Sequence, residues 1–194
     1  ACPNPGPAGQ PDGRRDASNA RSHRPGFVTA TFDPERLLAV LHRHQVDFVL
    51  IGGLAAVAHG SPLPTTDVDV TPDREPANLD RLADALIELR ARIRTSDPEG
   101  VVFPIDGRFL AAQPRMLNLT TDAGDLDLTF TPAGFEGGFA QLSAEAEELE
   151  LATGTITRVA RLRAIIRSKE VADREKDRRA LPYLRALLEE RGEA

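Results

Sequence analysis

The stretch that decides the fold is Ile51-Gly52-Gly53-Leu54-Ala55-Ala56-Val57-Ala58-His59-Gly60-Ser61-Pro62-Leu63-Pro64-Thr65-Thr66-Asp67-Val68-Asp69-Val70. A compact β-rich run, Val46 to Ile51, stops at the glycine pair, and thirteen residues after Gly53 an alternating segment begins at Asp67. In a strand, alternate side chains share a face, so Asp67 and Asp69 point one way while Val68 and Val70 enter the core. Two carboxylates that close disfavour joint ionisation unless a cation lies between them, and hard carboxylate oxygens suit Mg²⁺ or Mn²⁺. A lone Asp-x-Asp is otherwise the solvated face of an edge strand. The neighbouring residues weigh against that blander meaning. Gly52-Gly53 lets backbone N–H groups approach a phosphate, and Leu54 to Ala58 reads as a short helix whose start adds positive potential. A second alternating segment, Asp125-Leu126-Asp127-Leu128, brings a third carboxylate alongside. Three acids and a glycine turn suit two-metal phosphoryl transfer.

Outward from this stretch the pattern alternates between helix and strand. Asp33-Pro34 reads as a helix start, with Leu37, Leu38, Val40 and Leu41 as the buried stripe and an end near Gln45. Asn78 to Arg92 is an amphipathic helix with Pro76 near its start. Val101–Phe103, Met116–Thr121 and Leu126–Phe130 are strand candidates, with Ala123-Gly124 as a tight turn between the last two, and Glu147–Thr157 holds one more. From Val159 the pattern turns helical as two pieces divided near Ala172–Arg174, with Pro182 as a start or kink. Residues 1–26 hold five Pro and four Gly but no Val, Ile, Leu, Met or Phe, so they are expected to be a disordered tail. Order is expected from Phe27: a core over 27–157 and a helical part over 158–194 packed on it as one domain.

The run Ile51 to Val70 resembles the signature of the polymerase-β-like nucleotidyltransferase superfamily: apolar residue, Gly, Gly or Ser, a gap here at its upper limit, then Asp, apolar, Asp or Glu, apolar. Leu126-Asp127-Leu128 is similar to its third-carboxylate motif. The wider wording, with SKEVADREKD downstream, resembles the AbiEii/MenT-type bacterial toxin nucleotidyltransferases over roughly Phe32 to Leu188. The resemblance implies an α+β core in which a small mixed sheet is flanked by helices, with a C-terminal helical segment. It implies metal ligation and catalysis by Asp67, Asp69 and Asp127, phosphate binding by Gly52 and Gly53, and a phosphate-gripping, catalytic lysine at Lys169. Gly53 stands where many relatives have Ser, which leaves the backbone alone to bind phosphate. Some toxins of this type are silenced by a partner that phosphorylates an active-site Ser or Thr. Thr65 and Thr66 are candidates, since Thr65 would share a strand face with Asp67 and Asp69.

Lys169 and Lys176 are the only lysines, against 22 arginines, and on a continuous helix their separation of seven would put them on one face. Lysine is the compact point charge that suits a triphosphate. Lys176 and Asp177 are therefore further nucleotide-binding candidates, Asp177 as an acceptor from nucleotide or lysine. The arginines at 158, 161, 163, 167, 174, 178 and 179 are either helix-surface charges or a patch that reads an RNA backbone. His42 and His44 read as surface histidines on the first helix, and His59 as a structural residue at the end of the short one.

Hydrophobic residues make up 41% and charged residues 28% of the 194, a globular balance, and the longest apolar run is too short to span a bilayer. One cysteine allows no internal disulfide, and no apolar leader precedes the chain, so a cytoplasmic protein without a membrane partner is expected. The net charge of −6 hides a segregation: Arg158 to Arg185 carries ten Lys/Arg against four Asp/Glu. Three readings stay open. The first is an Mg²⁺- or Mn²⁺-dependent enzyme that transfers a nucleotide from NTP to RNA, the tRNA 3′ end by resemblance, as a toxin with a cognate antitoxin, a kinase being one candidate for it. The second is nucleotidylation of a small molecule such as an aminoglycoside, or of a protein. The third is a catalytically silent binding or antitoxin module.

Overall fold

A computed structural model describes residues 31–151 and 154–192, with Ala1. The expected tail over 1–26 and the expected onset of order at Phe27 lie outside the described residues. In chain order the elements are α1 (Pro34–Arg43), β1 (Phe48–Ile51), α2 (Gly52–Ala58), β2 (Asp67–Pro72), α3 (Pro76–Glu88), β3 (Arg92–Ile93) and α4 (Gly107–Ala111). There follow β4 (Met116–Thr121), β5 (Gly124–Thr129), α5 (Gly138–Ala144), β6 (Ala146–Glu150), β7 (Ile156–Ala160), α6 (Leu162–Ala172) and α7 (Glu175–Glu190).

The strands form one mixed sheet in the order β3-β4-β5-β2-β1-β7-β6. Its centre is set by alternation. Leu50 pairs with Val70, Val68 with Leu126, and Val70 with Leu128, so one face is continuously apolar. α1 lies on this face beside α3, its His42 ring 5.3 Å from that of Phe48. The parallel pairing of β2 with β5 sets Asp67 beside Asp125 and Asp69 beside Asp127 on the opposite face. The same alternation that buries four aliphatic side chains therefore gathers four carboxylates. The mixed sheet with flanking helices is the architecture expected from sequence.

Several elements differ from expectation. α3 stops at Glu88 rather than Arg92, because Arg90 takes a left-handed φ of 52° and the chain turns into β3 against β4. Val101 makes only an isolated bridge to Ile93. The segment expected to hold one strand holds β6 and β7 as an antiparallel pair, and β7 also adds to β1 in parallel. The boundary expected at 157/158 thus falls inside β7, and helix resumes only at Leu162. Pro182 lies within a continuous α7. Among the described residues, no helix is long and apolar enough to cross a membrane.

Candidate active site

The C-terminal end of β1 meets the start of β2 at the glycine pair, and neither glycine has room for a side chain. Gly52 takes a φ of +69°, and a Cβ there would lie 2.0 Å from Oδ2 of Asp69. A Cβ on Gly53 would lie 2.5 Å from Oγ1 of Thr65. Close approach of backbone to carboxylate thus explains both residues. The short helix begins at Gly52 itself rather than at Leu54, so the glycines form its first turn.

Asp67, Asp69 and Asp127 each offer a carboxylate oxygen within 4.8 Å of the others. Burial, then the negative charges of Asp67 and Asp127, push the Asp69 carboxyl up to about 6, while Lys176 and Lys169 pull weakly the other way. Burial also holds Asp127 above the usual carboxylate range, outweighing the ion pair it makes with Arg94. Three hard-oxygen donors whose charges oppose one another, under a glycine cradle that a Cβ would fill, fit a divalent cation such as Mg²⁺ or Mn²⁺. Thr65 precedes β2 rather than lying in it, and donates from Oγ1 to Oδ1 of Asp67 at 2.9 Å. Thr66 is exposed at the rim.

Two residues at this site escape sequence reasoning. Arg94 follows β3, and its Nη2 donates to Oδ1 and Oδ2 of Asp127 at 2.7 and 3.0 Å, while its Nη1 reaches Oδ2 of Asp125 at 2.8 Å. Asn118 donates from Nδ2 to Oδ2 of Asp127 at 2.8 Å, and its carbonyl accepts the Arg94 N–H at 2.9 Å. Neither is visible locally, because both depend on the β3–β4–β5 register. That register also separates the two aspartates of β5: Asp127 joins the triad, and Asp125 meets Arg94.

Opposite the sheet, α6 and α7 bring the lysines to one cleft of about 1030 Å³. They do not lie on one helix, for Asp173 breaks the run with a left-handed φ of 46°. Lys169 lies 3.1 Å from Oδ1 of Asp177, and Arg174 donates to Oδ2 at 2.6 Å. Asp177 is fully buried, so its partners are these two side chains and it cannot present an oxygen to the cleft. Burial alone would raise its carboxyl, but the hydrogen bonds from Arg174 and Lys169 hold it below the usual range. Lys176 is exposed and lines the cleft with Arg179 and Tyr183, a residue the sequence did not single out.

The expected arginine patch is largely engaged elsewhere. Arg158 and Arg167 lie over the rings of Phe139 and Phe135, Arg178 pairs with Asp173 and Arg179 with Glu175, while only Arg174 and Arg179 of that set line the cleft. His42 bonds Thr157, His44 pairs with Glu88, and His59 is buried against the Ala160 carbonyl at 2.9 Å.

No family profile matches the chain, and no curated protein matches it in sequence. In three dimensions it is similar to the lincomycin-bound lincosamide antibiotic adenylyltransferase LnuA, at 16% identity and a TM-score of 0.55 over 81% of this chain and 99% of that one. The fold is a nucleotidyltransferase fold. The solution structure of the antibiotic-resistance factor ANT(2'')-Ia also aligns, at 17% identity and a TM-score of 0.48 over 81% of each chain. The nucleotidyltransferase fold agrees with the fold expected from sequence; the AbiEii/MenT subfamily has no counterpart among these structures.

Proposed function

We propose that the chain is a metal-dependent nucleotidyltransferase that moves a nucleotide from an NTP to the 3′ end of an RNA, with tRNA as the acceptor, as the toxin of a toxin–antitoxin pair. The observation that carries the RNA acceptor is the charge of the cleft. Among the described residues six cationic side chains, Arg94, Arg115, Lys169, Arg174, Lys176 and Arg179, line it against three acids, Asp67, Asp69 and Asp127, which the metal ions would neutralise, and four of the six also carry carboxylate partners. Such a lining attracts a polyanion and repels a cationic drug.

Asp67, Asp69 and Asp127 would hold Mg²⁺ or Mn²⁺, which supplies charge neutralisation on the triphosphate. The Gly52 and Gly53 backbone borders the phosphates without a side chain to intervene. On α7, Lys176, Arg179 and Tyr183 recur at helical spacing, so Tyr183 stands about 10 Å along the helix from Lys176, a span that fits a base stacked on the ring while the phosphates meet the lysine. Lys169, held by Asp177, adds positive charge on the same side. Asp127, as a metal ligand, would help activate the attacking hydroxyl, whose proton is lost to solvent. The acceptor oxygen bonds to the α-phosphorus in line with the departing oxygen, and pyrophosphate leaves.

Control by phosphorylation belongs to the same reading. A phosphate on Thr65 would break its bond to Asp67 and add roughly −1.5 to −2 charge where the triphosphate must lie. Exposed Thr66 is the second acceptor. Co-expression with the adjacent gene product and mass spectrometry test this, and unmodified Thr65 and Thr66 in a neutralised toxin exclude it.

A small-molecule acceptor is the second reading, favoured by the alignment over nearly the whole length of LnuA. One assay separates the two: each labelled NTP with purified tRNA or with a panel of lincosamides and aminoglycosides, with and without Mg²⁺. Label in tRNA that Asp67→Asn and Asp127→Asn abolish is the expected result. Label only in a drug would replace the first reading with the second, and no label in any acceptor would favour the silent module.

A further inference from the structure

The four carboxylates of β2 and β5 are not equivalent, and the difference is made by one side chain. Arg94 uses separate nitrogens for its two partners: Nη2 holds both oxygens of Asp127, and Nη1 holds Asp125. Asp127 is 8% exposed, and Asn118 also donates to its Oδ2, so both of its oxygens are occupied by protein donors. Arg94 engages Oδ1, the oxygen that Asn118 leaves alone, so a metal ion shared with Asp67 and Asp69 competes with the guanidinium for Asp127. Asp125, 37% exposed, lies one step along the same face and outside the triad. Because Nη1 is bound independently, the guanidinium can release Asp127 without losing Asp125.

We propose that Arg94 is the resident counter-ion of the metal site, occupying Asp127 while the metal is away, and that Asp125 is the dock that retains Arg94 when a divalent ion displaces it. The proposal rests on Asp67, Asp69 and Asp127 being metal ligands and assigns roles to two residues outside that triad. Physically, it answers how Asp127 is tolerated beside two other acids in the metal-free protein: a buried carboxylate without a partner is costly, and Arg94 provides one. The same pairing lowers metal affinity, since apparent affinity scales with the fraction of molecules whose site is free to bind. Arg94 is thus a positioning residue, acting through Asp127, and it makes metal loading an exchange of one cation for another.

The two residues predict opposite effects on metal binding, which a strap holding β3 to β5 would not produce. Mn²⁺ binding to the full chain without nucleotide, followed by electron paramagnetic resonance, reads this directly. Arg94→Gln is expected to tighten Mn²⁺ binding by roughly five- to tenfold by removing the competitor. Asp125→Asn, which weakens the dock and leaves Arg94 more firmly on Asp127, is expected to weaken it. Arg94→Lys guards against a misfolded Gln variant: one ammonium cannot span both carboxylates as the planar fork does, so Mn²⁺ should bind more tightly than to wild type. Unchanged or weaker binding in folded Arg94→Gln or Arg94→Lys overturns the proposal and leaves Arg94 a structural strap. Wild-type protein that binds no Mn²⁺ overturns both the proposal and the metal-ligand reading beneath it.

Discussion

Gly52 and Asp69 are in such close contact that a single added carbon on the glycine would lie 2.0 Å from the carboxylate oxygen. Gly52 opens α2 directly after β1, and Asp69 lies on β2 opposite Ile51 in the antiparallel ladder, so the pairing itself drives backbone and carboxylate together. Gly52→Ala should therefore displace Asp69 from Asp67 and Asp127 as well as strain a left-handed backbone at a cost of about 1–2 kcal/mol. The expected outcome is a folded protein, a melting temperature lower by several degrees, and Mn²⁺ affinity reduced tenfold or more in a titration.

The Asp69 carboxyl, raised to about 6, makes metal binding pH-dependent. A protonated carboxyl is a poor ligand, so Mg²⁺ affinity should fall as pH drops through about 6. Stability runs the other way. The folded value exceeds the unfolded one, so the metal-free fold binds the extra proton and should lose this stabilisation as pH rises from about 4 through 6. Melting curves of wild type and Asp69→Asn without metal should differ in this pH dependence, and saturating Mg²⁺ should remove the wild-type loss above pH 6.

Asp177 is depressed below its ordinary value by Arg174 and Lys169, so its contribution is present above the unfolded value near 4 and is lost as pH falls below it. Asp177→Asn should cost about 2 kcal/mol or more at pH 7, because two cations lose their buried partner. Its denaturation midpoint should converge on that of wild type in acid. Lys169 freed of its anchor should raise KM for NTP more than it changes metal affinity, as nucleotide and Mn²⁺ titrations of Asp177→Asn beside wild type would reveal.

Tyr183 is the only tyrosine, and the chain has no tryptophan, so intrinsic fluorescence reports on a single side chain. An NTP base stacked on that ring should quench it. Tyr183→Phe should keep KM close to wild type, whereas Tyr183→Ala should raise it roughly tenfold. NTP binding by calorimetry without quenching would remove Tyr183 from the nucleotide site.

The sequence by itself determined what depends on near neighbours in the chain. Alternation over Asp67 to Val70 placed two acids on one face, the glycine pair marked the end of a buried strand, and helical spacing revealed α1, α3 and the C-terminal pair of helices. Each of these is a local property, set by a period of two or of 3.6 residues. Alternation alone did not separate Asp125 from Asp127, which share a face; the resemblance of Leu126-Asp127-Leu128 pointed to Asp127, and the tertiary structure shows the geometry that sets the two apart. That geometry depends on the parallel register with β2 and on Arg94, brought in by β3 from some thirty residues upstream. Lys169 and Lys176 likewise reach one cleft through a helix break at Asp173 rather than through the helical period that linked them in sequence. Pairing between distant strands and the angle between helices are settled by burial of the common core, and a local pattern carries no record of either.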